Sequence, residues 1–234
     1  MPSLSVDVDQ EMPTRTLSDR VCQQLISAIV SGELPAGTKI SEADLAKTYG
    51  ISRGPLREAI RRLESLRLIE RKAHIGARVV KLTAEELIDI YQVREALEGM
   101  ACRLAAQNMS DAEIQALFEL LDQHETSVEE QAWQAYFQKA GDLDFHYRIV
   151  RGSGNAMLLE LLGADLYHLV RMYRTQFSVS HYRPKRALKE HRQIVDAIAA
   201  RDAELAELLM RRHISAARQN IAQQLNSSQE KSHG

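Results

Sequence analysis

Leu17, Val21, Leu25, Ile26 and Ile29 recur at spacings of three and four, the repeat of an amphipathic helix, and Gly32 stands where such a helix ends. The stretch Glu33-Leu34-Pro35-Ala36-Gly37 breaks the pattern as a loop. Ser41 then stands as the N-cap of a short helix carrying Leu45 and Ala46 and stopping at Gly50. Ser52 stands as the cap of a third helix, with Leu56, Ile60, Leu63 and Leu66 on one side. Two helices with almost no chain between them predict a helix-turn-helix. Residues 68–71 and 77–82 read as two short strands around residues 72–76, a β-hairpin or wing. From the capping box of Thr83 and Glu86 to Asn226 the periodicity is helical, with starts marked by Ser110 and Asn155 and breaks at 178–184 and at Arg201-Asp202. The expected fold is mainly α. A leader (1–16) precedes a winged helix-turn-helix (17–82), an all-helical bundle of about six helices (83–226) and a frayed tail (227–234).

Composition narrows the class without changing that outline. At 44% apolar and 26% charged residues, with 11 Gly and 5 Pro, the chain is neither collagen-like nor wholly disordered. Cys22 and Cys102 stand far apart with no CxxC partner, which argues against a disulfide framework or a zinc-thiolate site and for a reducing, cytoplasmic setting. No run of about 18 apolar residues occurs, so no membrane is expected as a partner. The net charge of −2 conceals a division. Residues 17–82 hold 12 basic against 7 acidic side chains, whereas residues 83–234 hold 17 against 22. Such asymmetry points to two domains with different partners.

The basic charge has a place to act. Arg53, Arg57 and Arg61, spaced by four, share one face of the third helix, opposite Leu56, Ile60 and Leu63. A recognition helix touches base edges with its N-terminal residues, so Arg53 and Arg57 are expected to read bases and Arg61 and Arg62 to contact phosphates. The partner implied is double-stranded operator DNA. Residues 17–82 resemble the winged helix-turn-helix domain of GntR-family transcription regulators. The likeness rests on the helix end at Ile29 to Gly32, the loop Leu34 to Gly37, the pair Leu45-Ala46, the run Ser52 to Ala59 and the wing glycine Gly76. It implies that Ser52, Arg53, Gly54 and Arg57 meet DNA in the major groove and that the wing around His74 to Gly76 enters the minor groove. Ala43 departs from those relatives that carry a DNA-touching arginine after the glutamate.

Among eight histidines, three stand on apolar helical faces. His146 has Leu143, Ile149 and Val150 beside it and Asp142 one turn earlier. His191 lies with Ile194, Val195 and Ile198, and His213 with Leu205 and Leu209. The break at Arg201-Asp202 lies ten residues after His191 and eleven before His213. An antiparallel helix pair therefore brings both to about the same height, ~15 Å from the turn. With Asp142 and His146 from a third helix they form a set for a divalent transition metal, zinc first, with nickel or manganese as alternatives. Three separately satisfied core histidines are the competing reading. The motifs Asp142 to His146, Glu190-His191 and Met210 to His213 also resemble the FCD-type ligand domain of the FadR subfamily of GntR regulators, over residues 83–226. That resemblance implies Asp142, His146, His191 and His213 as metal ligands, with a small organic acid completing the coordination. Asp144, two residues from His146, falls on another face.

Arg94 shares a face with Ile90, Tyr91, Leu97 and Ala101, so it needs an anion, supplied either by Glu98 one turn on or by the carboxylate of an effector. The family resemblance of Val93 to Glu98 favours the effector. Asn155 is either a second effector contact, as its Gly-Asn pair in the family implies, or a helix cap. Together these readings describe a metabolite-responsive, homodimeric DNA-binding repressor rather than an enzyme, because HExxH is absent and no general base is apparent. A metal-free dimerisation domain and a metal-dependent hydrolase are the alternatives.

Overall fold

The computed structural model describes residues 16–72, 76–130, 144–177 and 183–232. Helix α1 (Leu17–Ser31) opens with a capping box. The Thr16 hydroxyl accepts from the Asp19 N–H, and the Asp19 carboxylate accepts from the Thr16 N–H at 2.8 Å. It closes at Gly32, whose φ of 86° a residue with a Cβ adopts only at a cost. Helix α2 (Glu42–Tyr49) is capped by Ser41, and α3 (Arg53–Ser65) follows almost at once. Ser52 occupies the N-cap position of α3 with extended backbone, but its hydroxyl makes no capping bond.

The strands β1 (Ile69–Lys72) and β2 (Gly76–Val79) pair antiparallel, Ile69 opposite Val79 and Lys72 opposite Gly76. The second strand stops at Val79, short of the Leu82 expected from sequence. Val80 still donates to the Leu68 carbonyl, but the Leu82 N–H is turned to the hydroxyl of Tyr173 at 2.5 Å. Leu25 and Ile29 of α1, Leu56, Ile60 and Leu63 of α3, and Leu68 and Val79 are wholly buried and form the core of this head. Helix and wing are thereby locked to one another by burial that favours folding by roughly 1.5–3 kcal/mol per large side chain.

The other described elements are helices: α4 (Ala84–Asn108), α5 (Asp111–Glu130), α6 (Phe145–Gly152), α7 (Ala156–Glu160), α8 (Tyr167–Phe177), α9 (Arg183–Ala199) and α10 (Ala203–Ser232). A π-helical segment, Leu161–Leu166, joins α7 to α8, so helical backbone runs unbroken from Ala156 to Phe177 and the bundle has about six rods. The long helix α4 packs along α10 and also meets α6 and α9. Gly99 permits the first contact, because a Cβ there would stand 2.7 Å from Cγ of Arg211. Arg201, in the left-handed region at φ 58°, makes the turn between α9 and α10. Its guanidinium donates to the Met109 carbonyl at 2.5 Å and to Asp111 at 2.5 Å. Helix α10 continues past Asn226 to Ser232, since no Gly or Pro intervenes to stop it. Helix α8 packs against α1, which joins bundle to head. Among the described residues no helix is long and apolar enough to cross a membrane.

Candidate functional site

Three helices bring His146 (α6), His191 (α9) and His213 (α10) together, all buried. One ring nitrogen from each lies within 4.8 Å of the others. The ring centroids are 5.2 Å apart for His146 and His191, 5.3 Å for His146 and His213, and 4.6 Å for His191 and His213. Phe145 stacks on His191 at 4.1 Å and fixes its plane. Asp142, the fourth expected ligand, lies outside the described residues. Asp144 is the N-cap of α6, where its Oδ1 accepts from the N–H groups of His146 at 3.0 Å and Tyr147 at 3.3 Å.

The protonation of two of the rings is set by carboxylates behind them. The Nδ1 of His146 lies 2.6 Å from Glu98 Oε2, and the Nδ1 of His213 lies 2.7 Å from Glu190 Oε2. Each glutamate is held in turn by an arginine one turn earlier on its own helix. Arg94 Nε donates to Glu98 Oε1 at 2.6 Å, and Arg186 Nε donates to Glu190 Oε1 at 2.8 Å. Burial alone raises the Glu98 carboxyl, but Arg94 and His146 outweigh it and hold the group well below the usual carboxylate range. An ionised carboxylate only accepts, so Nδ1 of His146 is the donor to it and Nε2 is the ring nitrogen on the side away from it. Nδ1 of His213 faces Glu190 in the same way, and its Nε2 faces Nε2 of His191.

The histidine set fits a divalent metal. Nε2 of His191 and Nε2 of His213 are 3.2 Å apart. Two imidazoles bound tetrahedrally at metal–nitrogen distances of about 2.0–2.1 Å have their nitrogens about 3.3 Å apart. The pair is thus already spaced for chelation, and carboxylates hydrogen-bonded to the far ring nitrogens are the usual outer support of such sites. Sequence reasoning missed both glutamates in this role. Glu98 enters from sequence only as a partner for Arg94, and Glu190 only as the neighbour of His191 in a motif, a residue whose side chain points away from it on an ideal helix. It does point away, toward His213 on the next helix. The readable signal was the Arg-x-x-x-Glu spacing that recurs on α4 and α9.

A cavity of about 390 Å³, its open mouth included, adjoins this cluster. Its walls include Arg94, Asp144, His146, Tyr147, Tyr167 and Arg171. Both readings of Arg94 are accommodated at once. Its Nε is bound to Glu98, while its terminal nitrogens make no hydrogen bond among the described residues and the residue lines the cavity. Asn155 does not line it. Its side chain accepts from Met157 N at 3.0 Å and Leu158 N at 3.1 Å, the capping role.

On the head, Ser52, Arg53, Gly54, Arg57, Arg61 and Arg62 are all exposed. Arg57 and Arg61 of α3, with Glu42 of α2 and Arg71 of β1, line a cleft that also includes Glu64. Arg62 lies off that face, paired with Asp19 of α1 and, at 3.8 Å, with Glu58. It braces α1 against α3. Hydrogen bonds from Thr16 and Arg62 hold Asp19 at about 2. Gly76 opens β2 at φ 92°, the left-handed conformation that glycine tolerates. His74 lies outside the described residues.

Known proteins match both parts of the chain. The FCD domain matches residues 89–216, and the bacterial regulatory proteins of the gntR family match residues 17–79. A Paenarthrobacter nicotinovorans protein described as a probable D-xylose utilization operon transcriptional repressor is 34% identical over 217 residues, covering 90% of this chain and 92% of its own. A GntR transcriptional regulator from Rhodococcus sp. RHA1 superposes with a TM-score of 0.71 at 24% identity, over 87% of this chain and 96% of that one. E. coli McbR/YncC gives 0.69 at 21% identity, over 89% and 98%. At these identities the two structures speak for the fold alone.

Proposed function

The chain belongs to the gntR family of bacterial regulatory proteins and carries an FCD domain, and from that premise we propose that it is a homodimeric repressor whose operator binding is set by a small organic acid held at a divalent metal. Its family and fold are those of metabolite-responsive DNA-binding regulators, not of catalysts. The observation that carries the finer reading is the pair of Arg–Glu–His chains. One of them rests on a buried ion pair, Arg94 with Glu98, and the other on a pair whose arginine, Arg186, is exposed, and they set Nδ1 of His146 and of His213 against a carboxylate. Packing alone gives no reason for three imidazoles from three helices to converge with carboxylates behind two of them, which disfavours the metal-free dimerisation reading.

His146, His191 and His213 hold the ion, with Asp142 as the fourth ligand. Zinc is the first choice, and nickel and manganese are the alternatives. When bound, the ion offers open positions to a carboxylate oxygen. Arg94 supplies a guanidinium fork beside it, and Asn155 is left to its helix. The repressor assignment is supported by the printed function of the Paenarthrobacter relative. A single winged helix reads few bases, so two copies are needed for two half-sites. Ser52, Arg53, Gly54, Arg57 and Arg61 face the major groove, and the wing of His74 and Gly76 the minor groove.

A route from effector to operator is built into α8. Tyr167, Val170 and Arg171 line the cavity, while Tyr173 of the same helix accepts the Leu82 N–H where the wing leaves the head. Occupancy that favours one placement of α8 therefore favours one placement of the head, a population shift between DNA-competent and incompetent dimers. The test uses a duplex selected from a randomised library by the full-length protein, titrated with small mono-, di- and hydroxycarboxylic acids. The expected result is release of the duplex by one acid class with zinc present and none after chelation. Release unaffected by chelation contradicts the metal-held effector.

A further inference from the structure

The arginines on the exposed face of α3 are not equivalent. Arg53 and Arg61 form no ion pair among the described residues, whereas Arg57 Nε donates to Glu42 Oε2 at 2.8 Å. Glu42 belongs to the first turn of α2, a helix fixed by its Ser41 cap. Its side chain is the better anchored of the two, 27% exposed against 58% for Arg57. The bond engages Nε, and the terminal nitrogens of Arg57 make no hydrogen bond among the described residues, which leaves the outer edge of the guanidinium available as a fork. On the far side of the same cleft Arg71 of the wing is held in the same way, its Nε donating to Glu64 Oε1 at 2.9 Å.

Resting on the reading that α3 enters the major groove, we infer that Glu42 is a positioning residue for Arg57, which it makes the sequence-reading arginine of the head. Bidentate recognition of guanine O6 and N7 needs the guanidinium plane set before contact, since every rotamer frozen on binding subtracts from affinity. Phosphate contact carries no such demand, because a mobile cation satisfies it from many directions. The tethered Arg57 is therefore the residue that discriminates bases, and the untethered Arg61 contributes charge. A carboxylate beside the phosphate backbone opposes binding electrostatically. Its presence at this corner makes sense as an exchange of general affinity for discrimination.

The test compares full-length wild type, Glu42→Gln, Arg57→Ala and the double variant. Two duplexes serve as probes, one enriched by the wild type from a randomised library and one of random sequence. Glu42→Gln is expected to lower the ratio of enriched to random affinity about fivefold, within the range of an exposed charge-assisted pair coupled to one base contact. It should relax preference at the same base positions as Arg57→Ala and do nothing further in the Arg57→Ala background. Equal changes on both duplexes, or relaxation at positions Arg57→Ala leaves alone, overturn the positioning role while leaving the DNA-binding reading intact. A wild type that enriches no sequence and binds neither duplex overturns both. Unfolding midpoints of the four proteins, expected to agree closely, separate positioning from loss of α2.

Discussion

Arg57 with Glu42 and Arg94 with Glu98 are the same chemical pair at nearly the same distance, 2.8 and 2.6 Å, yet the first is 58% and 27% exposed and the second 4% and 5%. In the head, water screens the pair, so it contributes little to folding and acts by orienting a guanidinium that must still meet a partner from outside. In the bundle neither charge has water to return to. There the pair fixes an ionisation state, and the ionised Glu98 fixes in turn which nitrogen of His146 holds a proton. One interaction thus serves two ends, decided by burial: exposed, it tunes recognition, and buried, it prepares a ligand site.

Breaking each pair separates these roles. Arg94→Met leaves a buried carboxylate without its guanidinium and is expected to cost about 3–5 kcal/mol of stability, read by urea unfolding of the metal-free protein. Arg57→Ala is expected to move stability by no more than about 0.5 kcal/mol while lowering the ratio of enriched to random affinity about tenfold or more. Equal destabilisation by the two substitutions contradicts the contrast.

A smaller effect sharpens the burial argument from the side of pH. His168 of α8 is pushed down to about 4 by burial, with Arg171 adding to it, and its Nδ1 is buried without a hydrogen-bond partner among the described residues. Above about pH 6.5 the ring is neutral in folded and unfolded chains alike. Between about 6.5 and 4 the unfolded chain takes up a proton that the folded chain refuses, so stability falls as the pH falls. His168→Leu should remove that part of the decline. Melting temperatures of the two proteins run parallel above pH 6.5 and converge or cross below it, and curves parallel down to pH 4 contradict the assignment.

What could be read in advance follows the same division. The stripe of Arg53, Arg57 and Arg61 was legible because exposed charge and buried apolar residues alternate with the helical period on α3 itself. The ion pair of Arg62 was not legible because its partner, Asp19, stands on α1, and Glu42 was missed because it reaches Arg57 from α2. The three histidines were legible as polar residues on apolar stripes with a turn midway between two of them. Glu190 was not, since a position judged against its own helix says nothing of a side chain that reaches the next one. The π-helical run Leu161–Leu166 also left no mark in the apolar pattern, although it forms part of the cavity wall.

If the histidine cluster and the carboxylates behind it hold a metal, the metal content per chain shows it. Elemental analysis of full-length protein prepared without affinity tag or chelator is compared with the His191→Ala, His213→Ala double variant and with Glu190→Gln. The account predicts about one divalent ion per wild-type chain, almost none in the double variant, and an ion held about 10–100-fold more weakly in Glu190→Gln. Wild-type protein that takes up no ion even after reloading with zinc, nickel or manganese contradicts it.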